Sequence, residues 1–112
     1  MPKPAPRARS GYSRDALALL GQMIRRARLE QRMTAADLAE RVGVSRGVIQ
    51  RIEQAEPGCA IGAVFEAAAV LGLRLFDASP ADVAMHLATH GKVLTLLPLS
   101  ARPPAKAVKD DF

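Results

Sequence analysis

Apolar residues recur along most of this chain at spacings of three and four, the mark of helices that turn one face to a core. Leu17, Leu20, Ile24 and Ala27 form the first stripe, with Arg25, Arg26, Glu30 and Arg32 on the other sides. Ser13 stands where an N-cap belongs, which predicts a helix from there to about Gln31. Thr34 opens a second helix. Asp37, three residues on, makes an acidic variant of the capping box, in which each side chain bonds the other residue's backbone N–H. Leu38, Ala39 and Val42 are the inner side of this helix, and Gly43 supplies the conformational freedom its end needs. Ser45 caps a third helix that runs to about Gln54, with Val48, Ile49 and Ile52 facing inward. Pro57 and Gly58 break the chain. Ile61, Val64, Phe65, Ala68 and Leu71 then give a fourth stripe, ended by Gly72.

Past Gly72 the pattern shifts. Leu73, Leu75 and Phe76 predict a short strand over residues 73–77. Ser79 followed by Pro80 is a cap with proline at the first helical position, which predicts a helix from Pro80 to His90 closed by Gly91. Lys92–Leu97, stopped by Pro98, reads as a second strand. The two ends differ from everything between them. Residues 1–14 carry Pro2, Pro4 and Pro6 with Lys3, Arg7, Arg9 and Arg14, a basic disordered arm that is either solvated or laid along phosphates. Residues 100–112, with Pro103 and Pro104, read as a flexible tail. The expected organisation is thus an arm (1–14), a four-helix domain (15–72), an extension (73–99) and a tail.

Composition narrows the function. Sixteen Lys and Arg against eleven Asp and Glu leave the 112-residue chain at +5, and excess positive charge favours polyanionic partners. The core must be aliphatic, because there is no Trp, one Tyr and three Phe. Cys59 is the single cysteine, which rules out an intramolecular disulfide and fits a reducing compartment. No stretch approaches the ~18 apolar residues of a membrane span. The basic start leads into prolines and not into an apolar signal core, so a cytoplasmic location is expected. His86 and His90 lie four apart on one helix face, a metal-ligand spacing, but Cys59 is the only other soft ligand and is far along the chain. No metal and no cofactor are therefore expected. No nucleophile, base and acid fall into a catalytic arrangement, and no glycine-rich phosphate loop occurs, so no enzyme is expected.

A short helix, a tight turn around Gly43 and a second short helix set two axes at roughly 90–120°, which lets the second enter a major groove. Over residues 17–72 the chain resembles the helix-turn-helix repressors typified by phage repressors and the Xre regulators. The residues that carry this are Leu20-Gly21, Ile24 through Arg28, Asp37-Leu38-Ala39-Glu40, Val42-Gly43-Val44-Ser45, Ile49, Arg51-Ile52-Glu53 and Ala69-Val70-Leu71-Gly72. The resemblance implies a mostly α fold: a four-helix lambda-repressor-like domain, here with a small C-terminal strand/helix/strand extension. It also implies sequence-specific binding of double-stranded DNA. Ser45 would cap the recognition helix and touch a phosphate. Arg46 and Arg51, with Gly47 between them, would face base edges, where the arginine fork can bond O6 and N7 of guanine together. Gln50 is a further base or backbone contact, and Thr34 opens a helix start where free amides favour phosphate. Arg28 and Glu53 match the family's ion pair between the first helix and the end of the third. Three positions depart from the family. Ala35 replaces a Gln or Glu that braces the phosphate contact. Ala55 replaces the glycine after the recognition helix, which would shift that cap toward Gly58. Ala60 replaces a Ser or Thr cap.

The strand over Leu73–Asp77 resembles, in arrangement more than identity, the strand by which HipB-type antitoxins pair with their own copy. That implies a homodimer whose seam holds Leu73, Leu75 and Phe76 with Val93, Leu94 and Leu96, bound to a palindromic operator. It further implies autorepression of an operon and a HipA-like kinase toxin as partner. The tail, ending Asp110-Asp111-Phe112, would offer that partner an extended peptide with an aromatic tip. Two other readings stay open: a stand-alone Xre-type regulator, and a protein-interaction adaptor that no longer binds DNA. An adaptor has no reason to keep Arg46 and Arg51 exposed.

Overall fold

A computed structural model describes residues 10–101. Five α-helices follow in chain order: α1 (Gly11–Glu30), α2 (Ala35–Val42), α3 (Arg46–Glu53), α4 (Ile61–Val70) and α5 (Pro80–Thr95). One turn of 3-10 helix over Leu75–Asp77 precedes α5, and the described residues contain no strand. The chain divides between Leu75 and Phe76 into two units.

In the first unit α2 packs on both α3 and α4, and α1 packs on α3. Ile24, Leu38 and Ile49 are fully buried where these helices meet, with Met33, Ile52, Ala67 and Leu71 around them. Burying a side chain of this size contributes about 1.5–3 kcal/mol each, so the aliphatic stripes suffice to fix the arrangement. Gly21 makes the closest approach possible. A Cβ on it would stand 2.8 Å from the Ile52 carbonyl oxygen and 3.0 Å from that of Glu53. Only a bare α-carbon lets α1 ride against the end of α3.

The helix ends follow the sequence with two corrections. The cap of α1 is Ser10 and not Ser13: the Ser10 hydroxyl accepts the Ser13 N–H at 3.1 Å. Residues 11–14, expected in the arm, are therefore helix, and residues 1–9 lie outside the described residues. At the far end of α3 the left-handed residue is Ala55 itself, at φ 61°, and the cap does not shift to Gly58. The Ala55 N–H donates to Ile52 and the Glu56 N–H to Arg51, each at 3.0 Å, which is a Schellman closure made without glycine. The absent cap at Ala60 is as expected, for no side chain bonds the start of α4. Gln31 ties two helix ends together, its side-chain amide donating to the Leu71 carbonyl at 2.8 Å.

The second unit overturns the expected strand/helix/strand extension. Phe76 and Asp77 take φ values of 56° and 52°, a left-handed turn that cannot continue an extended strand. Leu73, Leu75 and Phe76 thus form no strand edge. Ser79 does cap α5, accepting the Asp82 N–H at 3.1 Å, and Pro80 opens it. The helix then runs straight through Gly91 to Thr95. A glycine in an exposed helix costs only about 1 kcal/mol, and the three-and-four spacing of Val83, Leu87, His90 and Leu94 carries across it. Val93 and Leu94 are helical and Leu96 is the C-cap, so Lys92–Leu97 is not a strand. Residues 102–112, with the basic and aromatic tail positions, lie outside the described residues.

Candidate nucleic-acid interface

Two short helices and the turn between them build the site. The α2 cap is complete: the Thr34 hydroxyl accepts the Asp37 N–H and the Asp37 carboxylate accepts the Thr34 N–H, both at 3.0 Å. The bond from the Thr34 backbone N–H, then one from the Thr34 side chain, hold the Asp37 carboxyl below its ordinary pKa, with Arg41 adding a smaller attraction. Gly43 ends α2 at φ 86°, and the Ala39 carbonyl accepts both the Gly43 N–H (2.8 Å) and the Val44 N–H (3.0 Å). This tight reversal leaves one residue before Ser45, whose hydroxyl accepts the Val48 N–H at 3.3 Å and starts α3.

The burial of α3 is one-sided. Ile49 and Ile52 are buried, whereas Arg46, Gln50 and Arg51 are exposed and Gly47 is half-buried. Positions one turn apart share a face, so Arg46 with Gln50, and Gly47 with Arg51, form one contiguous outward surface. The Arg51 side chain lies back along the helix: its Nη1 is 3.5 Å from where a Gly47 Cβ would stand. A Cβ at that position would be in ordinary van der Waals contact with the guanidinium, so the glycine is not required for space. Thr34 and Ser45 are both exposed beside it, each already accepting one backbone N–H.

An ion pair sets the angle of α3. Arg28 Nε donates to one Glu53 carboxylate oxygen at 2.7 Å and Nη2 to the other at 2.9 Å, while Nη1 donates to the Met33 carbonyl at 2.9 Å. The side chains keep only 11% and 8% of their exposure. The Glu53 bond raises the guanidinium pKa above its ordinary value against the opposing effect of burial. One bidentate arginine thus joins α1, the loop before α2 and the last residue of α3.

A family model described as a helix-turn-helix domain matches residues 19–84. The chain belongs to that family. The match begins within α1, covers α2 through α4 and ends in the opening residues of α5. In this helix-turn-helix domain α2 is the first helix of the motif, Gly43 lies in its turn, and α3 is the second, exposed helix. The protein is on this evidence a DNA-binding regulator. No curated protein matches the chain. No helix among the described residues is long and apolar enough to cross a membrane.

The structure brings Ser45, Arg46, Gly47, Gln50 and Arg51 together on α3, with Thr34 at the start of α2. It joins Arg28 to Glu53 as a pair. It does not gather Leu73, Leu75, Phe76, Val93, Leu94 and Leu96 into strands. Three contributors escaped the sequence reading. Gly21 could have been found from its place in the family pattern, since a glycine inside a strong helix signals a close neighbour. The Arg28 bond to Met33 and the Gln31 bond to Leu71 leave no mark in periodicity, because each depends on where a distant carbonyl falls.

Proposed function

We propose that this protein is a transcriptional repressor that binds a palindromic DNA operator as a homodimer and reads its bases with Arg46 and Arg51. The observation that carries this is the outward surface of α3, where two arginines, a glutamine and a glycine stand free of the core on a helix held by Ser45, Gly43 and the Arg28–Glu53 pair. Arginine forks suit guanine edges, and Ser45 and the start of α2 suit flanking phosphates. A single eight-residue helix reads too few base pairs for strong specificity, so two copies related by a two-fold axis would place their α3 helices in successive grooves.

The antitoxin reading rested on a strand over Leu73–Asp77. Those residues form a turn, and a kinase-toxin partner is not part of the proposal. The experiment is selection of tight-binding duplexes from a random pool, followed by footprinting. The expected result is an inverted repeat with half-site centres about 34 Å apart or a multiple of it. Failure to enrich any sequence would refute specific binding.

A further inference from the structure

We propose that two copies of this chain pair through α5 and that the four imidazoles so assembled, His86 and His90 from each copy, bind one divalent transition-metal ion of the zinc class. The proposal extends the homodimer reading above and rests on it only for the presence of a second copy.

The first observation is a helix face without a cover. Not one residue of α5 is buried. Leu87, Leu94 and Leu97 are 74%, 66% and 53% exposed, and only Asp82 and Lys92 carry formal charge between Pro80 and Thr95. Val83, Leu87, His90 and Leu94 follow each other on α5 at intervals of four, three and four, the spacing of a seam that two helices bury between them. Helical stability in proteins comes mostly from packing an apolar face, and α5 buries none of its sixteen residues.

The second observation is an incomplete ligand set on that same face. His90 is a seam position, and His86 stands one turn before it. Together with Phe76, Val83 and Leu87 they line a concavity of about 430 Å³ within the second unit. Imidazoles four residues apart on a helix can hold one ion between them, as helical zinc sites do. Zinc takes four ligands. The described residues contain no cluster of three His, Cys, Asp or Glu, so one chain supplies half a site at this place.

A second copy answers both deficits at once. An isologous contact pairs residue i with j and j with i, so a seam whose two-fold axis passes beside His86 and His90 brings the two histidine pairs to one level. Imidazoles buried in an otherwise apolar seam need partners for their ring nitrogens, and a shared metal ion supplies them. A foreign apolar helix would cover the leucines and leave the ligand set at two.

The full chain is examined at pH 7.5, with zinc chloride or with EDTA, by sedimentation equilibrium and by elemental analysis after dialysis. The expected result is one zinc per two chains and a dimer at least tenfold tighter in zinc than in chelator. His86→Ala and His90→Ala should each abolish both effects while far-UV dichroism and binding to a single DNA half-site are retained. Leu87→Asp keeps all four imidazoles but breaks the seam, and it should lose the one-to-two stoichiometry. One zinc per chain with no change in mass would overturn the proposal, as would no retained zinc. A dimer equally strong in chelator and in zinc would overturn the metal site while leaving the homodimer standing. A monomer under every condition would remove both, and half-site DNA binding would still report on α3 separately.

Discussion

Removing Glu53 should loosen α3 from the rest of the domain at a calculable cost. Glu53→Ala deletes two charge-assisted hydrogen bonds and leaves the Arg28 guanidinium, with 11% side-chain exposure, holding only the Met33 carbonyl. Truncating one member of a well-buried pair costs about 3–5 kcal/mol, most of it the stranded charge. Some water reaches both groups here, so a loss of about 1–3 kcal/mol is expected, in the range for removing a partner of a charged hydrogen bond. Arg28→Ala should cost more than Glu53→Ala, because it strands the carboxylate and orphans the Met33 carbonyl too. Replacing both, as Arg28→Ala with Glu53→Ala, removes the stranded charge and should cost less than the sum of the singles. Urea denaturation at pH 7 measures all four proteins. Each kcal/mol should also move Tm by about 4–8 °C in a domain of this size. If the single losses add to the double within about 0.5 kcal/mol, the two residues do not act together and this account of the α1–α3 junction is wrong.

Ala55→Gly should stabilise the domain by about 1 kcal/mol, since a left-handed conformation costs a residue with a Cβ about 1–2 kcal/mol; an unchanged Tm would mean that the turn carries no strain. Gly21→Ala should cost about 1–3 kcal/mol by forcing α1 away from the Ile52 and Glu53 carbonyls, and a variant as stable as the parent would show that the helices part freely. The capping box predicts an acid limb. Because the folded state holds Asp37 below its ordinary pKa, its stabilisation is present above that ordinary value, near pH 4, and is lost as pH falls through the lower folded value. Asp37→Asn should flatten that part of the stability profile, and superimposable curves for parent and variant would refute the role.

Most of the first unit was legible because its signals are local. The stripes of the first three helices, the Thr34–Asp37 box, Gly43 and the Ser45 cap depend on neighbours within a turn and fall where the spacing puts them. In the fourth stripe, by contrast, Ile61 and Phe65 are exposed and the buried positions are Ala67, Ala68 and Leu71. The cap of α1 falls three residues before the expected Ser13, because residues 11–14 join the helix and Ser10 bonds its start. Ala55 misled because a propensity was read as a prohibition: packing on either side of the turn holds an alanine where glycine is the cheaper residue. The second unit failed for a different reason. Val93, Thr95 and the leucines around them fit a strand or a helix equally well over six residues, and Gly91 looked like a boundary. Only the longer run from Val83 to Leu97 distinguishes them. The outward residues of α3 were legible from the family pattern, whereas the Arg28 bond to Met33 required the fold.

Fluorescence anisotropy on a selected operator and on a random duplex, at one fixed salt concentration, bears most directly on the central claim. Arg46→Ala and Arg51→Ala should each weaken operator binding by about 1–3 kcal/mol, roughly fivefold to 150-fold, with the fold intact by far-UV dichroism. Binding to random duplex should weaken less, since phosphate contacts dominate it. Equal losses on both duplexes would place the arginines on the backbone alone. Unchanged operator affinity in both variants would contradict the assignment of α3 as the helix that reads DNA.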